Sequence, residues 1–135
     1  QVINPVLVGE DAGALISGHI GAVDAQWHLS QVDFDGGSVW MRDAQMPVGK
    51  AVRIRILARD VSLSTSEPQH TSIQNLLQGV IQSITPDAHP SQVLVVLKCG
   101  ATEVLARVTQ KAVSELGLQV GMPVWAQVKS VALVA

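Results

Sequence analysis

The chain has 135 residues, 47% of them apolar and 15% charged, with a formal net charge of −2. That is enough apolar material for a core and too much for a disordered segment. The charge gives no basic footprint for nucleic acid, and without a run of 18 apolar residues no helix is expected to span a membrane.

In chain order, the opening Gln1-Val2-Ile3-Asn4-Pro5 lacks the basic and apolar regions of a signal peptide. Asp35-Gly36-Gly37 reads as a hairpin turn. Val39-Trp40-Met41 and Val52-Arg53-Ile54-Arg55-Ile56 alternate at period two, as half-buried strands do. Ser64 to His70 is polar and reads as a linker. Ser72 is a candidate helix start, with about one turn over Ile73 to Leu77. Val93 to Leu97 is a buried strand pattern, and Cys99-Gly100-Ala101-Thr102 a second turn. Thr109 can cap a helix over Gln110 to Leu116, stopped by Gly117, with Val113 and Leu116 facing inward. Val124 to Val128 alternates again. Many short strands with regular turns predict barrels or sandwiches.

The chain also repeats itself. Leu15-Ile16-Ser17-Gly18-His19-Ile20 resembles Leu76-Leu77-Gln78-Gly79-Val80-Ile81, and His28 to Val32 aligns with His89 to Val93 in the same register. Val48-Gly49-Lys50-Ala51-Val52 matches Val120-Gly121-Met122-Pro123-Val124 after a further shift of eleven residues, about the length of the Thr109–Gln119 helical segment. We read two copies of one small barrel, residues 1–66 and 67–135, with the helix near 109–118 developed only in the second.

Several chemistries are set aside. His19, His28, His70 and His89 have no metal-ligand spacing among themselves or with the sole cysteine, Cys99, which reads as a small apolar filler near a strand end. No G-x-S-x-G elbow is present. Val48-Gly49-Lys50-Ala51 fails as a phosphate loop, because Ala44 stands where the first glycine is needed and Ala51 where a Ser or Thr would hold a metal. Aromatics are 3% of residues, too few for a base-stacking platform. Trp40 and Trp125 read as core or interface residues, and Arg53 and Arg55 as a solvated stripe. No catalytic or metal-ligating residue is expected.

The remaining polar cluster lies in Thr71 to Val80. Ser72, Ile73, Gln74 and Asn75 offer a hydroxyl, amides and backbone N–H groups just before an apolar run. If Ser72 opens a helical turn, the N–H groups of Ile73, Gln74 and Asn75 converge on one point. Lys129 and Ser130, on a late alternating segment, can form the facing wall. Neutral donors with one cation suit a small tetrahedral anion better than acid–base chemistry. The plainer reading stands beside this one: Ser72 caps a turn, Asn75 holds a loop and Lys129 points to solvent.

Ser72-Ile73-Gln74-Asn75-Leu76-Leu77-Gln78-Gly79-Val80 resembles the S-A-R-N-x-L-K-G-x-V signature of molybdate-binding Mop domains. Val113-Ser114-Glu115-Leu116-Gly117-Leu118 is similar to that family's S-V-x-E-L-G-L segment, and Val128-Lys129-Ser130-Val131 to its terminal I-K-A-S-S-V strand. Val52 to Leu63, followed by Pro68-Gln69-His70-Thr71-Ser72-Ile73, resembles the C-terminal region of the ATP-binding subunit of bacterial molybdate ABC importers. The resemblance implies an all-β fold with one short helix, built as two tandem oligonucleotide-binding-like (Mop/TOBE) barrels. It implies a non-enzymatic regulatory and dimerisation domain that needs no cofactor, binds molybdate or tungstate through Ser72, Ile73, Gln74, Asn75, Lys129 and Ser130, and follows a nucleotide-binding domain. The implied partners are a second copy, that nucleotide-binding domain and the importer's membrane subunits, with no nucleic acid; the implied place is the cytoplasm, peripheral to the inner membrane. Gln74 and Gln78 depart from the signature, each removing a positive charge. A structural dimerisation module with a decayed site and a free molybdate-storage protein are the alternatives.

Overall fold

The structure, a computed structural model, describes residues 12–134. The first eleven residues of the expected first half, including the opening segment tested as a signal peptide, lie outside the described residues. The order is β1 (Gly13–Asp24), β2 (Leu29–Phe34), β3 (Gly37–Arg42), β4 (Ala51–Leu57), a 3₁₀ turn (Ala58–Asp60), β5 (Val61–Ser64), β6 (Asn75–Pro86), β7 (Gln92–Cys99), β8 (Thr102–Thr109), α1 (Gln110–Leu116), β9 (Pro123–Val128) and β10 (Ala132–Leu133). The expected all-β architecture with one short helix is what forms, as two five-stranded antiparallel sheets, β10-β4-β1-β2-β3 and β5-β9-β6-β7-β8.

The linear halves exchange their last strands. β5 precedes the linker yet pairs with β9, Val61 opposite Val128, while β10 returns to pair with β4, Ala132 opposite Arg55. Residues 1–66 and 67–135 therefore each contribute one strand to the other's sheet. Period-two burial then follows: Val52, Ile54 and Ile56 of β4 are buried and Arg53 and Arg55 exposed. On β7 and β8, Val93-Leu94-Val95 and Val104-Leu105-Ala106 are buried without alternation. Both faces of these strands are covered, because β8 packs against the 3₁₀ turn, β1 and β4 of the other half. One continuous core joins the two sheets.

The repeat is structural, with a different register from that read in the sequence. Ile20 of β1 and Ile81 of β6 each precede a β-bulge, so these strands match at an offset of 61 residues. Beyond the bulge Val32 pairs with Ile20 and Leu97 with Ile81, an offset of 65, as for Gly37 and Thr102 at the starts of β3 and β8. The expected match of His28–Val32 with His89–Val93 is therefore corrected by four residues; the β6–β7 hairpin from Ile81 to Leu97, strands included, is longer by that much than the β1–β2 hairpin from Ile20 to Val32. At Gly49 and Gly121 the offset is 72. Both have φ near 90° (94° and 90°), and their N–H groups donate to Ile20 and Ile81 carbonyls at 2.7 and 2.8 Å. The eleven-residue shift thus has two sources, the hairpin extension and a seven-residue helix.

That helix is capped as expected. Thr109 Oγ1 accepts from the Ala112 N–H at 3.0 Å, and Gly117 stops it with φ 64°. Its inward side differs from expectation: Val113 packs against the core, Leu116 stays 40% exposed, and Leu118 beyond the stop is the buried anchor, its N–H on Val113 O at 3.0 Å. The helix expected to begin at Ser72 does not form. Asn75 to Leu77 open β6, with Leu77, Gly79 and Ile81 buried in alternation, and cross-strand pairing to β9 overrides the local cap signal.

Candidate functional site

β6 and β9 pair from Val80–Pro123 up to Asn75–Val128 and then separate. In the first half the corresponding ladder runs one step further, to Gly13 opposite Leu57, and the Ala58 N–H continues it onto Ala12 O at 2.8 Å. In the second half Lys129 turns away, donating its N–H to Asp60 O at 2.7 Å. The parted strands leave a cleft of 350 Å³. Ser72, Ile73, Gln74 and Asn75 line one side and Val128 and Lys129 the other, with Leu29 and Trp40 of the first half at the back.

Five of the six expected site residues thus meet in one cleft of a single chain. Ser130, the sixth, lines an adjoining cleft of 640 Å³ that shares Trp40 and Lys129 and runs along Arg42 and Asp43 to Leu133. A third hollow, of 500 Å³, opens between Asp24, Trp27, Leu29, Trp40 and Gln74. Trp40, half-buried, lines all three. Gln78 is exposed, opposite Trp125, and is not among the residues lining these clefts.

The donors are arranged differently from a helix start. Thr71 Oγ1 accepts the Ile73 N–H at 3.1 Å, so that N–H is spoken for; the chain bends at Ser72 and enters β6 at Asn75. Asn75 acts as a peptide mimic. Its Oδ1 accepts from the Trp40 N–H and its Nδ2 donates to Trp40 O, both at 2.8 Å, which satisfies the outer edge of β3 and pins the Ser72 segment to the first half. One Nδ2 hydrogen remains for a ligand. Ser72, Gln74, Lys129 and Ser130 are exposed, with hydroxyls, a carboxamide and one ammonium to offer.

Asp43 is the carboxylate of the adjoining cleft. The Gln45 N–H, then the Ser30 hydroxyl, both at 2.9 Å, hold its pKa below the ordinary carboxylate value and fix it in the 43–45 turn. Cys99 is fully buried, and burial raises its thiol to about 11, which suits the expected filler role. Among the described residues no group of three or more His, Cys, Asp or Glu side chains is placed to hold a metal ion. Sequence reasoning missed the Asn75–Trp40 clamp. The signal was an amide at the strand start facing an edge strand, visible only once the halves are packed.

Two parallel findings define the class. Residues 71–135 match the TOBE domain model. The fold matches the cytoplasmic molybdate-binding protein ModG, solved with molybdate bound, with a TM-score of 0.72 and 26% identity over 89% of this chain and 92% of that one. The molecule is a TOBE-type pair of oligonucleotide-binding-like barrels.

The sequence relatives narrow this. The chain is 47% identical over 129 residues to the molybdenum import ATP-binding protein ModC of Methylococcus capsulatus and 45% identical over 130 residues to that of Thiobacillus denitrificans. In both cases 96% of this chain matches, and it spans only 36% of the relative's length. Residues 71–135 carry the TOBE domain, and nearly the whole chain is similar to about a third of these molybdenum import ATP-binding proteins.

Proposed function

We propose that this chain is the oxyanion-binding regulatory and dimerisation portion of a molybdate-importing ATPase, with molybdate or tungstate as ligand. The observation that carries this is the meeting of Ser72, Gln74 and Lys129 in one cleft, at the one place where the repeat's ladder opens. A tetrahedral dianion there takes a charge-assisted bond from Lys129, worth about 1.5–3 kcal/mol, and neutral bonds from Ser72 and Gln74 of about 0.5–1.5 kcal/mol each, with Ser130 on the adjoining cleft that shares Lys129. The relatives' names and the molybdate in the ModG structure support the ligand class.

The regulatory part rests on connectivity. The cleft wall is tied to the first half through Asn75 on Trp40 and through Lys129 on Asp60. An anion that prefers one spacing of these walls shifts the population of arrangements toward it. Trp27, 65% exposed beside the third hollow, and Leu133 and Val134 beyond the other end offer apolar surface for a second copy. In the full-length protein the partners are its nucleotide-binding domain and the importer's membrane subunits, at the cytoplasmic face of the inner membrane; no helix among the described residues is long and apolar enough to cross a membrane.

Calorimetric titration with molybdate, tungstate and sulfate tests the reading. Molybdate and tungstate bind with sulfate weaker; no heat at millimolar molybdate contradicts it. The second reading, a dimerisation module with a decayed site, draws on Gln74 and on the Ile73 N–H already bonded to Thr71. Gln74→Arg separates the two. It tightens existing binding about tenfold in the first reading, and creates binding absent from the wild type in the second.

A further inference from the structure

We propose that Arg42, from the first half, is the second cation of the oxyanion site, supplying the charge that Gln74 does not; this deepens the oxyanion reading and rests on it. The two halves carry an arginine at the same place. Leu29 pairs with Arg42 on β2–β3, and Leu94 with Arg107 on β7–β8. Arg107 is consumed by structure. Its Nε donates to Asp87 Oδ2 at 2.5 Å, with side chains only 9% and 7% exposed. Asp87 sits in the β6–β7 connection, residues 87–91. The shorter β1–β2 connection, Ala25-Gln26-Trp27-His28, holds no acid.

Arg42 is left without such a partner: among the described residues its side chain makes no ion pair or hydrogen bond. It shares one face of β3 with Trp40, two residues away, because Val39 and Met41 point into the core. That face borders the 640 Å³ cleft on which Lys129 and Ser130 also lie. Among the described residues Asp43 is the only carboxylate lining that cleft, so the described charges there, Arg42, Lys129 and Asp43, sum to one positive. A dianion held between Lys129 and Arg42 touches both halves of the chain, where an arginine at position 74 would touch only the second.

The test is calorimetric titration of this chain with sodium molybdate. Arg42→Gln weakens binding roughly ten- to a hundredfold, while Arg53→Gln, at an exposed residue that lines none of the three clefts, changes it by less than about twofold. Arg42→Lys falls between the wild type and Arg42→Gln, because it keeps the charge and loses the planar fork. Adding Gln74→Arg to Arg42→Gln restores affinity, which a merely structural loss would not allow. Thermal melting of Arg42→Gln at the wild-type temperature shows that the fold is intact. If Arg42→Gln binds as Arg53→Gln does, or the second arginine fails to restore affinity, the role of Arg42 is overturned and the oxyanion reading stands. A wild type that binds no molybdate sinks both.

Discussion

The two halves are the same design finished in opposite ways. At the mouth of the first, Gly13 lies against Leu57, and the ladder closes so tightly that a Cβ on Gly13 would come within 2.7 Å of the Ile56 carbonyl. At the corresponding place in the second, Gln74 and Lys129 part and line a cleft. The counterparts of Ile73, Asn75 and Ser130 are Ala12, Ala14 and Ala58, all buried. Among the described residues the first half thus keeps the core and lacks the donors. A duplicated barrel can spend one copy on rigidity and leave the other with an unfinished edge that binds.

The arginines invert this pattern: the second half buries Arg107 and the first exposes Arg42. The largest expected effect breaks that comparison. Asp87→Asn takes the carboxylate from the Arg107 Nε and costs about 2–3 kcal/mol in urea unfolding, whereas Arg42→Gln stays within about 0.5 kcal/mol of the wild type. The Ala88 N–H, then Arg107, lower the Asp87 pKa below its ordinary 3.8. A depressed folded-state pKa contributes fully above the unfolded value and is lost as pH falls through the folded one. The stability gap between wild type and Asp87→Asn is therefore constant at neutral pH and closes below about pH 4.

Next comes the mouth itself. Gly13→Gln forces backbone apart and costs about 2–3 kcal/mol, while the mirror change Gln74→Gly, at an exposed position ahead of β6, costs less than about 1 kcal/mol. Equal costs would mean that the two mouths are not built differently. Smaller still, Asn75→Leu strands the Trp40 N–H and C=O at a part-buried edge and costs about 1–2 kcal/mol. It also alters Trp40 emission, because the clamp sets that side chain against the clefts. An unchanged emission spectrum would count against the clamp.

Local signals were legible and pairing signals were not. The Thr109 cap, the Gly117 stop, the Asp35-Gly36 turn and the alternation of Val52 to Ile56 are written within a few residues, and all appear in the fold. The exchange of β5 and β10 leaves no local trace, since either strand fits either sheet by pattern. Ser72 with its amides imitates a helix start, and Gly79 hides the alternation of Leu77 and Ile81, so β6 was readable only with β9 beside it. Shared His, Ser, Gln and Val residues drew His28–Val32 onto His89–Val93, although the bulges and pairing set the register four residues away. Ser72 to Asn75 and Lys129 stood out by donor chemistry, and the family resemblance, not spacing, joined them into one site. Arg42 carried no signal beyond its alternation with Trp40.

The central claim is one oxyanion site per chain, at the open mouth of the second half. Equilibrium dialysis with molybdate, on the wild type and on Lys129→Gln, tests it most directly. The account predicts saturation at one anion per chain and an affinity roughly tenfold or more weaker in the variant. Two anions per chain, or binding indifferent to Lys129, would contradict it.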